Sequence, residues 1–205
     1  MNHPLEVKAR AFIEISDSQV KLYQSCPRLW AYTKLLKVKP DEDRWNLYFG
    51  SGVHKGLERL HLGDDLAAAC NAARAECAKD APQDAEMGEK AAAVVGGYGQ
   101  HFYPIYLKNW ETTAAEEWYE YFPDPLVKIR GSRDNRSRAR ISPYHAAVFD
   151  FKTTAYKDGG ELGKNLRKNH QLALYAVSEM RIKGAWPQEY GLIFLQKPRS
   201  DDWRE

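Results

Sequence analysis

Apolar positions recur at helical spacing through the first half of the chain and alternate through much of the second. Ser16-Asp17-Ser18-Gln19 fits a capping box, and Val20 and Tyr23 continue it as a helix. Pro27 ends that helix or opens the next, which carries Leu29, Trp30 and Leu36. Residues 37–45 are polar and contain a proline, which predicts a loop. Val53, Leu57 and Leu60 stand at i, i+4 and i+7, so the spacing predicts a helix over Tyr48 to Leu62. An alanine-rich helix is expected from Asp64 to about Ala81, capped by Asp64 or Asp65. Another runs from Glu86 towards Trp110, interrupted by Gly96, Gly97, Gly99 and Pro104.

The period changes near Thr112. Ala114 to Phe122 alternates and is rich in aromatics, Pro123-Asp124-Pro125 forces a turn, and Leu126 to Asp134 supplies a second strand. Asn135 to Pro143 reads as a polar loop with three arginines, and His145 to Thr154 as the third and most apolar strand. Asp158-Gly159-Gly160 then precedes a helix over 161–183 through Leu162, Leu166, Leu174 and Val177, and a short strand closes over Tyr190 to Gln196. Three meandering strands followed by a helical crossover predict an α/β fold, with a mixed central sheet flanked by helices and a helical N-terminal half.

Composition narrows the class. Of the 205 residues 43% are apolar and 28% charged, which excludes wholesale disorder. No apolar run approaches the ~18 residues of a membrane span, and Met1 to Arg10 has no stretch suited to a secretory signal. Three irregularly spaced cysteines, Cys26, Cys70 and Cys77, make no disulfide framework, so a reducing cytoplasm is the expected location. The net charge of +2 conceals a polarity: residues 41–125 carry 7 basic and 16 acidic side chains, residues 126–175 carry 11 basic and 4 acidic. Such a basic segment is either a solvated face or a site for a polyanion such as nucleic acid.

The strand His145 to Thr154 is apolar enough to be buried yet contains Asp150 and Lys152, which a period of two places on one face. Buried charges need a partner or a metal. Asp134 ends the preceding strand, where its carboxylate can lie beside Asp150, and two adjacent carboxylates repel unless a hard cation separates them. The plainer alternatives are an ion pair at a sheet edge and a turn-capping aspartate. Gln171 and Tyr175 share a helix face at i and i+4, as do His54 and Glu58, and His54 can complete a metal shell if its helix packs across the sheet end.

In order along the chain, Ser18-Gln19, Tyr23, Cys26-Pro27-Arg28, Gly50-x-x-x-His54, Gly131-x-x-Asp134, Asp150-x-Lys152 and Gln171-x-x-x-Tyr175 resemble the RecB-like branch of the PD-(D/E)xK nucleases. That branch includes phage and bacterial recombination exonucleases and CRISPR-adaptation nucleases. The resemblance runs from about residue 16 to 196 and implies one nuclease domain over 1–205 with a restriction-endonuclease-like αβββαβ core. Residues 37–111 would form a mainly helical insertion within it. It implies Mg²⁺ or Mn²⁺ held by His54, Asp134, Asp150 and the carbonyl of Phe151, with Asp134, Asp150 and Lys152 catalytic. Lys152 would act on the attacking water, as a point charge or as a base. Gln171 and Tyr175 would position the nucleic acid or brace the site. Separately, the positive charge concentrated beside that site makes Arg130 and Arg133 expected phosphate contacts. Glu116 or Glu117 matches a further acidic position. Some relatives carry an iron–sulfur cluster. Cys26 stands at its first position, but no cysteine follows Cys77, so none is expected here. The chain also stops soon after the last strand, as a compact member or a fragment would.

The expected activity is a divalent-metal-dependent DNA nuclease, an exonuclease in recombination, repair or phage DNA processing. Its substrate would be DNA, single-stranded or at duplex ends. Recombination or CRISPR-adaptation proteins are possible partners, and no membrane is involved. The alternative is a nuclease-fold module that binds DNA without cutting it.

Overall fold

The computed structural model describes residues 12–38, 44–154 and 169–197. Ser16 caps the first full helix as the sequence predicts, its Oγ accepting from Gln19 N at 3.4 Å. The helices are α1 (Asp17–Ser25), α2 (Pro27–Trp30), α3 (Trp45–His61), α4 (Leu66–Asp80), α5 (Ala85–Gly97), α6 (Tyr103–Asn109) and α7 (His170–Lys183). The strands are β1 (Ile13–Ile15), β2 (Trp110–Asp124), β3 (Val127–Ala139), β4 (Ala146–Thr154) and β5 (Glu189–Gln196). Two wide helical turns, Ala31–Leu35 and Tyr98–Phe102, follow α2 and α5.

The predicted meander and crossover are present. β2 and β4 both run antiparallel to β3, while β5 lies parallel to β4 along its length. β1 was not anticipated, because three residues are too few to display a period; it pairs parallel to β3 through Val127–Ile129. β4 pairs with β3 only through Asn135–Arg138. Since β2 occupies one edge of β3, β1 and β4 share the other. Arg130 to Asp134 lie between them without a ladder partner on that edge. The functional residues collect at this gap.

β3 also runs on to Ala139, so the polar loop expected from Asn135 begins later. Asn135, Ser137 and Ala139 turn inward and are buried while arginines alternate outward. The inward polar groups are satisfied by a network: Tyr106 Oη contacts Ser137 Oγ at 2.5 Å, and Asn135 Nδ2 meets His61 Nδ1 at 3.2 Å. His61 also bonds Thr112 and Tyr98, each at 2.9 Å, and burial lowers its pKa to about 3, so it stays neutral. This pins the C-terminal end of α3 to the sheet, two turns after His54.

The helical core explains the small residues of α3 and α4. Phe49, Val53, Leu57, Ala69, Ala73 and Cys77 are buried with Phe151 of β4. A Cβ on Gly52 would lie 2.3 Å from Cys77 Sγ and 3.0 Å from Ala73 O, so the two helices approach only because Gly52 has none. Asp65, not Asp64, caps α4 by accepting from Ala68 N at 2.7 Å. The helix expected from Glu86 is divided, with Pro104 placed in the first turn of α6 where a missing N–H is harmless. On the other side of the sheet Tyr119, Val148, Leu172 and Tyr175 form a smaller core with α7. That helix starts at His170, capped by Asn169; the turn at 158–160 and the helical positions Leu162 and Leu166 lie outside the described residues. No described helix is long and apolar enough to cross a membrane.

Candidate metal centre and active site

Where the β3–β4 ladder stops, a side chain replaces it. Beyond the last pair at Asn135–Phe149, Asp134 Oδ2 accepts a hydrogen bond from the backbone N–H of Phe151 at 2.8 Å. Its other oxygen accepts from Tyr175 Oη at 3.4 Å. Tyr175 is held in turn by Gln171 Nε2 at 2.7 Å, which is the shared face predicted for these two residues. The same hydroxyl lies 3.1 Å from Asp150 Oδ1. Asp150 is fully buried, and Lys152 Nζ reaches its Oδ2 at 2.7 Å.

His54 arrives from α3. Its Nε2 lies 3.0 Å from the carbonyl of Phe151, and its Nδ1 lies 3.2 Å from Glu116 Oε1 and 3.4 Å from Asp134 Oδ2. Glu116 stands opposite Asp134 in the β2–β3 register, between the Ala115–Asn135 and Glu117–Arg133 pairs. Its φ of 47° is left-handed, a strain of about 1–3 kcal/mol for a residue with a side chain. Ser132 Oγ donates to its second oxygen at 2.8 Å. One ligand atom each from His54, Glu116 and Asp134 fall within 4.8 Å of one another.

The electrostatics favour a cation at that point. Burial raises the pKa of Asp134 to about 7; the charges of Asp150 and Glu116 add to the rise, and His54 offsets part of it. Burial opposes a charge on His54, yet Asp134 and Glu116 prevail and lift its pKa to about 9. Burial likewise opposes a charge on Glu116, but the hydrogen bond and charge of His54, with Ser132, hold its pKa below the ordinary value. Burial keeps Tyr175 protonated and donating. A proton on His54 therefore sits where carboxylates concentrate negative potential, and a metal can take its place. With Nε2–H donated to Phe151 O, Nδ1 presents its lone pair to the cluster, the usual second-shell arrangement for a metal-bound histidine. Two carboxylates and an imidazole are a donor set that can hold a divalent metal ion.

The residues predicted for the site fare differently. His54 and Asp134 converge, Asp150 and Lys152 pair beside them, and Gln171 and Tyr175 brace both aspartates. The Phe151 carbonyl, expected as a direct ligand, is engaged by His54, which leaves it one lone pair. Glu58, the helix neighbour of His54, pairs with Lys55 instead. Arg130 remains at the rim, 44% exposed, with Glu14 at 3.2 Å. Arg133 requires a correction. It is 1% exposed and inside an ion-paired network with Glu179 of α7 and with Glu117 at 2.7 Å, so it cannot reach a phosphate. Of the two acidic candidates on β2, Glu116 faces the cluster and Glu117 faces Arg133. Alternation already requires the pair to diverge; choosing between them needs the register opposite Asp134.

The cluster lies between two openings. An open groove of about 870 Å³ is walled by His54, Glu116, Trp118 and Lys152, and a smaller one of about 420 Å³ by Ser18, Asp134, Gln171 and Tyr175. Glu116 thus faces the larger groove and Asp134 the smaller, while Asp150 lies buried behind them.

A mixed sheet between helices, with buried carboxylates gathered where two strands part and a lysine two residues beyond one of them, is consistent with a restriction-endonuclease-like fold. The chain belongs to the PD-(D/E)XK nuclease superfamily, whose family model matches residues 14–204. No curated protein matches it. Membership points to metal-dependent nuclease activity on a nucleic acid substrate.

Proposed function

We propose that the protein is a cytoplasmic DNA nuclease of the RecB-like branch, acting as an exonuclease in recombination, repair or phage DNA processing. The observation that carries the catalytic part is the convergence of His54, Glu116 and Asp134 beside the Asp150–Lys152 pair. The branch, exonuclease mode and pathway are supported by the order of motifs along the chain. Residues 37–111 act as an insertion that contributes to the site, since α3 supplies His54.

His54, Glu116 and Asp134 would hold Mg²⁺ or Mn²⁺, with Asp150 adjacent. A bound divalent ion lowers the pKa of its water and stabilises charge on the phosphate. Phe151 orients His54 through its carbonyl and Asp134 through its N–H. Tyr175 Oη sits between both aspartates, 3.4 Å from Asp134 and 3.1 Å from Asp150, and its single proton is shared between them. Lys152, at 25% exposure, can leave Asp150 for the phosphate or the attacking water, and its charge then stabilises the transition state.

The Lys152–Asp150 contact also favours a second reading, a module that binds DNA without cutting because its lysine stays locked as a counter-ion. Labelled linear and circular DNA incubated with Mg²⁺ or EDTA tests both readings. Mg²⁺-dependent loss of mononucleotides from linear DNA alone supports the exonuclease. Nicking of circles replaces it with an endonuclease, and binding without cleavage favours the module.

A further inference from the structure

The carboxylate cluster is one end of a ladder of side chains shared by β2 and β3. The register sets Glu116 against Asp134, Trp118 against Ser132 and Glu120 against Arg130, and directly opposed residues project from one face. Trp118 is thus one step from Glu116 on that face, ~6.7 Å along the strand and comparable to one extended nucleotide. It is 68% exposed. The Arg130 guanidinium lies 5.3 Å over its ring. The indole walls both the large groove at the cluster and a neighbouring one of about 370 Å³ that Arg130 also lines.

An indole left in water beside a nucleic acid site offers a flat apolar face on which a base can stack, and a planar guanidinium extends that surface. The charges support the same occupant. Arg133 and Arg136 are engaged by Glu179, and Arg138 by Glu111 at 2.6 Å. The groove at the cluster carries Glu58 and Glu76 as well as Lys55 and Lys152. A duplex, with its bases inside the stack, presents only phosphates to this wall and, among the described residues, finds few unengaged cations there. An unpaired end presents base faces.

We infer that Trp118, flanked by Arg130, is a stacking platform that holds an unpaired nucleotide next to the scissile phosphate, so that single-stranded ends are the preferred substrate. This rests on the nuclease reading above and specifies its substrate. The test is fluorescence anisotropy with labelled oligothymidylate, Ca²⁺ replacing Mg²⁺, on the wild type, Trp118→Ala and Trp118→Phe. Trp118→Ala should bind roughly 10-fold or more weakly, and Trp118→Phe should recover most of the loss. Neither change should alter affinity for the same strand with abasic terminal nucleotides, or for a blunt duplex. Equal affinity of Trp118→Ala and wild type for oligothymidylate overturns the platform, as does an equal loss on the abasic strand. In both cases Mg²⁺-dependent cleavage by the wild type still upholds the nuclease. A wild type that neither binds nor cuts any nucleic acid overturns the nuclease reading and the platform together.

Discussion

Arg133 and Asp134 are neighbours on β3, both almost fully buried, and their surroundings are opposites. Arg133 belongs to a closed set in which two arginines, Arg133 and Arg136, meet two glutamates, Glu117 and Glu179, with the more exposed Lys183 3.7 Å from Glu117. Asp134 belongs to an open set in which three carboxylates, Asp134, Asp150 and Glu116, meet Lys152 and an imidazole that must hold a proton to contribute charge. The closed set completes itself and ties β2 and β3 to α7. The open set lies between two grooves and has to be completed by a proton or a metal. A buried charge whose partners balance it is scaffold; one whose partners do not is where a cation is to be sought.

Breaking the open set should cost activity and spare the fold. Asp150→Ala and Asp134→Asn should each reduce cleavage by ~10³ or more if they support the metal chemistry. Asp134→Asn should leave the melting temperature of the metal-free protein unchanged or higher at neutral pH, because it removes a carboxylate that burial and Asp150 disfavour. Breaking the closed set should do the reverse. Arg133→Ala removes the buried cation that joins Glu117 to Glu179, leaving Glu179 with Arg136 alone, and should lower the denaturation midpoint.

The contrast between the two sets was only partly visible in the sequence. Asp134, Asp150 and Lys152 could be singled out because charged residues interrupt strands, and the spacing of Val53, Leu57 and Leu60 placed His54 on a helix. Arg133 looked like one of a cluster of phosphate-binding arginines because its true partner, Glu179, lies 46 residues away. Asn135 and Ser137 suggested a loop because the His61 and Tyr106 groups that satisfy them come from distant helices. Local pattern shows where a charge lies; which charge answers it is decided by tertiary contacts. Trp118 also escaped notice, since its exposure cannot be read from alternation.

Lys152→Ala bears on whether the lysine belongs to the chemistry or only to the ion balance. A catalytic lysine predicts a rate loss of ~10²–10³ with metal and DNA binding kept. A counter-ion predicts a lower melting temperature at the wild-type rate, since Asp150 is left buried and unpaired. Single-turnover cleavage and a melting curve distinguish the two.

Acidity provides a smaller effect. Metal-free, Asp134 has a folded pKa of about 7 against an ordinary 3.8, and His54 about 9 against 6.5. Both are raised, so the folded state holds the extra protons. The stability they contribute is fully present below the unfolded pKa and is lost as pH rises through the folded one. In EDTA the melting temperature should therefore decline from about pH 4 towards pH 9. Asp134→Asn should remove the lower part of that decline, and His54→Gln the part above 6.5. The smallest effect concerns salt. With Arg133 and Arg136 held by Glu179 and the exposed Arg138 paired to Glu111 among the described residues, log affinity for DNA should fall by only ~1–2 per log unit of salt, the signature of one or two neutralised phosphates. Arg138→Gln should barely change it.

The central claim is that the open set is a metal site. Titrating Mn²⁺ into the wild type, Glu116→Gln and Asp134→Asn by calorimetry tests it most directly. The wild type should bind with clear saturation, and both variants should bind at least ~10-fold more weakly, the lower end of what losing a single ligand or its support costs. Indistinguishable binding in all three proteins would place the metal elsewhere and contradict the account.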